Sequence, residues 1–502
     1  MKHSESSSTK RHDLYNFETK IEYKYTLEKK KRKKVSYLLD TFFFIPKSLQ
    51  INRDTYDKEQ FFSDLHNRIR FKTPKMSIKD ILDEKNILSP LNIINKNLVQ
   101  PHISDSIDNL IQRELRILAS IIKSTLKDKF QFFLNNCELL NKRKSISKLI
   151  EEYLINIEEF KNKLVEFKNK ILKIQTSEEL RDTFQYSDEY ISLQLEMWLT
   201  KILSRLKKYL DTNTKNSIIK SIENEQSYRR NLNSRLVLEE GTDNEGFIFL
   251  EGIMKKYVQG VLYLEKKIKA PQASSLEIFY SIGAGLAMFI SLFLGFFIYS
   301  NLEEYSIPFI AGAVVIYMLR DRIKDNIRGI SQKAVTLYLP DKKIDIMDGF
   351  FEEKIGISKE KMYFTDFEKI PLEIIQIRKS SNKSLIENEG KPEVCIIFKK
   401  KMILLNKKIN KLHTRHTDIL DVTRFNIHNF LRYADDPIQK VISWKENENK
   451  LDTYSISKVY HLNIIFKLIS FQGKKIKEIS YQKYRIILNQ KGIKKVLAVQ
   501  ID

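Results

Sequence analysis

The chain has 502 residues, 42% hydrophobic and 11% aromatic, which is room for two or three packed domains and too apolar for wholesale disorder. Lys and Arg total 87 against 64 Asp and Glu, a formal net charge of +23 that invites anionic partners. That charge is spread along the chain, so nucleic acid is disfavoured as a partner against the anionic inner leaflet of a bilayer, and two distant cysteines, Cys137 and Cys395, exclude a disulfide scaffold.

The opening stretch MKHSESSSTKRHDLYNFETK has charge but lacks the apolar core of a secretory signal. Ile21–Leu27 and Val35–Ile45 are strand-like runs around the basic Glu28–Lys34 stretch, which predicts a hairpin. Within the second run, TFFFIP (Thr41–Pro46) is too short to span a bilayer. Helical spacing follows over Asp57–Arg70 and Met76–Asp83, separated by Pro74, and Pro90 and Pro101 bracket an Asn-rich connector. Residues 1–103 therefore read as a mixed α+β region.

Residues 104–270 read as a helical bundle. Ile146, Ile150, Tyr153, Ile157, Phe160, Leu164, Phe167, Ile171 and Ile174 alternate spacings of four and three, a heptad seam over 146–174 that reads as coiled coil. Leu149, Leu154, Ile155, Val165 and Leu172 widen the stripe and favour packing within a bundle. Thr176 and Glu179 have the spacing of a capping box, opening a helix whose apolar face runs through Ile191, Leu195, Trp198, Ile202, Leu206 and Tyr209. Phe247–Lys269 is expected as a last helix before Pro271.

From Ile278 to Tyr299 no charged residue occurs. At 1.5 Å per residue, about 22 helical residues cover the roughly 30 Å hydrocarbon core. A second apolar run, Tyr305–Leu319, is shorter, and Pro308 suits its first turn. Together they predict a transmembrane hairpin over 276–319, with spans near 278–299 and 305–319, the second short enough to be a re-entrant or interfacial segment instead. Lys255, Lys256, Lys266, Lys267 and Lys269 precede it, Arg320, Arg322, Lys324 and Arg328 follow it, and the connector SNLEEYS holds only Glu303 and Glu304. The positive-inside bias then puts both flanks and both termini in the cytoplasm, a multi-pass inner-membrane topology, with those basic residues at the membrane interface. Gly283, Ala287, Ser291 and Gly295 recur every fourth residue, a smooth stripe for seating the second helix or a second copy of the chain. Residues 320–337 read as a basic amphipathic helix at the inner leaflet.

Past Pro340 the pattern turns to strands, giving a β-rich (α+β) domain over 338–502. Tyr460, Leu462, Ile464, Phe466 and Leu468 alternate, and Tyr484–Leu488 and Ile493–Ala498 flank the turn at Asn489–Gly492. Val394–Phe398 and Met402–Leu405 suggest another hairpin, and Thr417–Ala434 a helix. The fold class expected is an α+β membrane protein.

Chemical signatures are sparse. His413 and His416, with Asp418 and His428 nearby, are the sole metal candidates, and no spacing fixes a third ligand. His461 reads as a strand-face residue. The acidic loop Glu239–Gly246 lacks the spacing of a calcium loop. No phosphate-cradling glycine motif or serine-nucleophile motif is present, so no catalytic residue and no cofactor is expected. The expected function is a membrane-anchored cytoplasmic scaffold or signalling protein with protein partners or self-association. Two alternatives are an anchored enzyme acting on a lipid or anionic substrate, and a bacterial effector that inserts its hairpin in a target membrane.

Overall fold

The computed structural model describes residues 7–24, 34–98, 104–137, 143–173, 176–301, 303, 306–380, 393–413, 415, 418–445, 450–472 and 475–501. Of the expected features, Tyr25–Lys33, Pro101, Ile174, Glu304, Tyr305, His416 and Thr417 lie outside them. The fold is mixed α+β, with 53% of the described residues helical and 29% in strands.

The elements begin with β1 (Ser7–Arg11), β2 (Asn16–Lys24), β3 (Val35–Pro46), α1 (Lys58–Asp64) and β4 (Leu65–Phe71). A helical stretch follows: α2 (Ile78–Leu82), α3 (Pro90–Asn97), α4 (Asp105–Cys137), α5 (Arg143–Lys173), α6 (Glu178–Leu206), α7 (Thr212–Asn231) and α8 (Glu245–Gly260). Next come β5 (Glu265–Lys269), α9 (Pro271–Asn301), α10 (Ile307–Tyr338), β6 (Lys342–Asp348), β7 (Glu353–Thr365), α11 (Leu372–Lys379), β8 (Glu393–Leu404) and α12 (Asn406–Leu412). The chain finishes with β9 (Asp418–Asn426), β10 (Ile438–Lys445), β11 (Lys450–Ser457), β12 (Tyr460–Gln472), β13 (Lys475–Asn489) and β14 (Gly492–Val499).

Two compact units divide the chain, and the first is discontinuous: Met1–Ile69, Leu264–Leu412 and Leu420–Asp502. Its main element is an eight-stranded antiparallel sheet in the order β14-β13-β12-β3-β8-β7-β6-β5. β3 lies inside that sheet because it is apolar at nearly every position, so both faces need cover. Phe42 and Phe44 pack with Cys395, Ile397 and Ile465 under Ile370 and Ile374. On the other face Phe43 meets Phe61 of α1 at 5.9 Å and Phe425 of β9 at 5.3 Å. β9 belongs to a second sheet, of order β1-β2-β9-β4.

Several elements differ from expectation. β2 and β3 fall in different sheets and make no hairpin with each other. Asp57–Arg70 divides into α1, opened by a capping box at Asp57, and strand β4. Glu393–Leu404 is one unbroken strand, not two joined by a turn. Asp418–Asn426 is a strand, followed by a 3-10 turn at His428–Leu431, where a helix was expected. The helix from Phe247 stops at Gly260, and Glu265–Lys269 forms the edge strand β5.

The second unit, Arg70–Tyr263 with His413–Ile419, is mainly α2–α8 around one apolar core. Ile146, Ile150, Tyr153, Ile157, Phe160, Leu164, Phe167 and Ile171 are all buried there. Their seam packs against α2, α6 and α7 of the same chain. Of the residues that widen the stripe, Leu154 joins the core, while Ile155, Val165 and Leu172 are at least half exposed. The cap of α6 is Ser177, one residue later than expected; its side chain accepts the Leu180 N–H, and Thr176 accepts a bond from Arg181. Arg229 is fully buried, donates to Ser192 (2.7 Å) and to the Leu236 carbonyl (2.9 Å), and pairs with Glu196. Burial pushes its guanidinium down to about 10, still charged at neutral pH, so this one side chain ties α7 to α6 and to the segment after α7.

Candidate functional site

Among the described residues one helix, α9, is long and apolar enough to cross a membrane, and 11% of its apolar window is buried. α10 continues for 32 residues, but its apolar part ends at Leu319, where Arg320 begins a charged half. Ser306 caps α10 by accepting the Phe309 N–H, and Pro308 stands in the first turn, where no intrahelical N–H bond is lost.

The two helices pack antiparallel over much of their length. Gly283 faces Ile327, and a Cβ there would lie 2.6 Å from its Cγ2; Gly312 faces Ile298, with 2.7 Å to its Cδ1. Gly283 and Ala287 are buried in this contact, Ser291 and Gly295 are half-buried, and a Cβ on Gly295 would meet nothing within 4 Å. The lower part of the small-residue stripe thus seats α10. Gly283→Ala forces the helices apart and is expected to cost roughly 1–3 kcal/mol, as overpacking does. Gly285→Ala, with open space around it, should be neutral or slightly stabilising. Thermal melts of the two purified variants in detergent check the difference.

The basic residues expected at an interface fall into two groups. Lys266, Lys267 and Lys269 stand on β5, where Lys269 pairs with Asp345 at 3.1 Å. Arg320, Arg322, Lys324 and Arg328 stand on α10; Arg320 covers the Tyr317 ring at 4.2 Å and Arg328 the Tyr280 ring at 5.6 Å.

A second concentration of chemistry lies within the first unit, where Lys400 of β8 is 1% exposed. Its ammonium is 2.6 Å from Asp421 of β9 and 3.4 Å from Glu360, its register partner on β7. These are ion contacts by distance; Nζ has no well-directed hydrogen bond. Asp421 also accepts from Asn67 (2.6 Å) and lies 3.4 Å from the buried Tyr23 hydroxyl. Lys266 reaches the Asn67 carbonyl from β5. Burial works against the Lys400 charge, yet Asp421 and Glu360 outweigh it and hold the pKa above the ordinary lysine value. Lys266 stands on an exposed strand, but desolvation of its ammonium at the Asn67 carbonyl, helped by the Lys400 charge, lowers its pKa. Sequence reasoning missed this centre, which links the two larger sheets of the first unit through opposite charges.

Compared with family models, curated proteins and solved structures, the chain matches none. Its site must be read from its own geometry.

The remaining candidates are engaged elsewhere. His413 is buried, stacks 4.3 Å from the Phe71 ring and has Nδ1 3.1 Å from the Arg113 guanidinium. A fixed cation beside that nitrogen opposes a metal ion. Among the described residues no group of three His, Cys, Asp or Glu is placed to hold one. His428 packs edge-on to Tyr15, and His461 is half-buried on β12 opposite Ile487. In the acidic loop, Asn244 closes the turn by bonding the Glu239 N–H and the Glu239 and Thr242 carbonyls. A shallow cleft of about 850 Å³ beside that loop is lined by both signs of charge, and its Ser234 hydroxyl donates to Glu189 at 2.6 Å.

One more surface stands open. β10 and β11 pair with each other. Ile438, Ile442, Trp444 and Leu451 share one face, Val441, Tyr454 and Ile456 the other, and all seven are exposed. A two-stranded hairpin is marginal in water without further cover.

Proposed function

We propose that the protein is a membrane-anchored scaffold: α9 and α10 form a two-pass hairpin, and the sheet-rich and helical units lie on the cytoplasmic side. The observation that carries this reading is the outward face of α9. Phe289, Phe293 and Phe296 are 69%, 67% and 73% exposed, on a helix about 46 Å long that is uncharged from Ile278 to Tyr299. Burying each such ring is worth about 1.5–3 kcal/mol, so a fold in water would cover them. Basic residues on both flanks, with Glu303 and Glu304 alone charged in the connector, support one orientation. The β10–β11 surface supports interaction.

Topology is the direct test, and the native thiols do not serve for it because Cys137 and Cys395 are both buried. Single cysteines at Asn301, at the hairpin tip, and Ala273, at its base, do serve. In intact cells a membrane-impermeant maleimide is expected to label Asn301→Cys at once, and Ala273→Cys after permeabilisation. Protection of both in intact cells means that the tip does not cross, and extraction of the chain by alkaline carbonate removes the anchor altogether.

A further inference from the structure

The eight-stranded sheet turns one face to α1 and β9, and α11 covers the other around Phe42 and Phe44. Successive residues of a strand alternate faces, so Leu38 and Asp40 share the second face with Phe42. The registers carry that face across the sheet: Leu38 stands opposite Lys401, Lys401 opposite Lys359, Lys359 opposite Lys343, and Lys343 opposite Lys269. Four lysines on four adjacent strands therefore lie in one row, about 14 Å from end to end at about 4.8 Å per strand. Lys401, Lys359 and Lys269 are exposed and Lys343 is half-buried. The positions beside them on the first face, Lys400, Glu360 and Ile344, are buried. Lys399 and Lys361 continue the basic surface in the next row, beside Asp40.

Like charges directly opposite one another weaken a sheet, so the row costs stability unless an anion lies on it. The acidic residues nearby do not balance it. Asp40 is buried, Asp345 is bracketed by Lys269 (3.1 Å) and Lys354 (2.5 Å), and Glu265 lies against Gly349 at the sheet edge. Among the described residues no carboxylate pairs with Lys343, Lys359 or Lys401.

The row stands at the foot of the hairpin. Ala270 alone separates β5 from α9, and three residues separate α10 from β6. Gln272, in the first turn of α9, donates to Asp341 at 2.9 Å. Lys361, on the basic face, donates to the Leu337 carbonyl in the last turn of α10, so this is the side of the sheet on which α10 ends. The uncharged run of α9 starts at Ile278, seven residues or about 10 Å of helix beyond Pro271. Headgroups fill about 5–8 Å of that distance, and the Debye length at physiological salt is about 8 Å. Lys269 and Lys343 therefore stand within the field of a leaflet that α9 enters.

We propose that this face of the sheet docks on the anionic headgroups of the leaflet from which the hairpin rises, with Lys401, Lys359, Lys343 and Lys269 as the contact row. The proposal rests on the anchor reading above. Position singles out lipid among anions: the covalent link to α9 and α10 keeps the row beside the bilayer at high effective concentration.

Lysine acylation of the full-length protein in vesicles, read residue by residue by mass spectrometry, tests it. Replacing phosphatidylcholine vesicles by phosphatidylserine-rich ones is expected to slow acylation of Lys343, Lys359 and Lys401 several-fold. Lys494 and Lys495, exposed on β14 at the far edge of the sheet, should change little. Molar salt should abolish the difference. Lys359→Gln with Lys401→Gln should remove most of the protection at Lys343, and in detergent this variant should melt no lower than wild type, since like charges have left the row. Equal acylation in both vesicles overturns the docking and leaves the anchor standing. So does protection already complete in phosphatidylcholine, which means that protein covers the face. Protein that floats only with phosphatidylserine vesicles and is released by salt overturns the anchor and keeps the face; protein that floats with neither overturns both.

Discussion

Arginine at both Phe289 and Phe293 will move the protein from the membrane pellet to the soluble fraction. Both rings point away from α10 and sit within the uncharged run of α9. An arginine near the centre of a spanning helix costs roughly 2.5–3.5 kcal/mol. Two therefore cost roughly 5–7 kcal/mol, and each 1.4 kcal/mol is about a factor of ten in partition. Tyr299→Arg, at the end of the run, should leave the protein in the pellet because its side chain reaches the interface. Carbonate extraction followed by flotation reads the outcome, and circular dichroism checks that the helical unit stays folded. A double-arginine variant that still floats with lipid would mean that α9 is not the embedded element.

Lys400→Met is expected to destabilise the first unit by roughly 3–5 kcal/mol, the cost of leaving a buried pair with one partner. The loss comes from leaving the Asp421 and Glu360 carboxyls in a dry site without their cation, more than from the lysine itself. Adding Asp421→Asn and Glu360→Gln removes that penalty and should recover most of the stability. The sign of the pH effect follows from the raised lysine pKa: its contribution is full below the unfolded lysine value and is lost as pH rises through the folded one. Wild type should therefore soften at high alkaline pH more than the triple variant. Hydrogen exchange of peptides from β8 and β9 measures both effects where they occur. If Lys400→Met and wild type exchange alike, the ion contacts hold nothing together.

That same pair explains where the sequence misleads. On β9 the inward positions Ile419, Asp421 and Phe425 are buried, so the period is two. With an aspartate on the inner face, the alternation is hidden and the stretch looks helical. On β8 the run Lys399–Lys401 looks like a turn between two short strands, yet its middle lysine faces the core. Patterning assumes that charges point outward, and here two of them point at each other. Where that assumption holds, sequence and structure agree: the α5 seam is buried, and β13 and β14 turn at Asn489–Gly492. Lys266, Lys267 and Lys269 were legible as a basic cluster before the apolar run, but nothing in EKKIK announces an edge strand, because all five residues are exposed. The glycine stripe was visible in sequence; which of its members touch α10 depended on the register, which needs both helices in place.

The placement of β3 has a consequence for synthesis. This central strand is made within the first 46 residues, yet one neighbour, β8, begins at Glu393 and the other, β12, at Tyr460. At roughly 5–20 residues per second, a ribosome needs roughly 20–70 s to bridge the first gap alone. For that interval Phe42, Phe43 and Phe44 have no sheet to enter. All of the helical unit except its His413–Ile419 segment emerges in the meantime, and α9 follows before β8 exists. The sheet must then close late, around a β3 whose phenylalanines have waited uncovered while α9 and α10 were made.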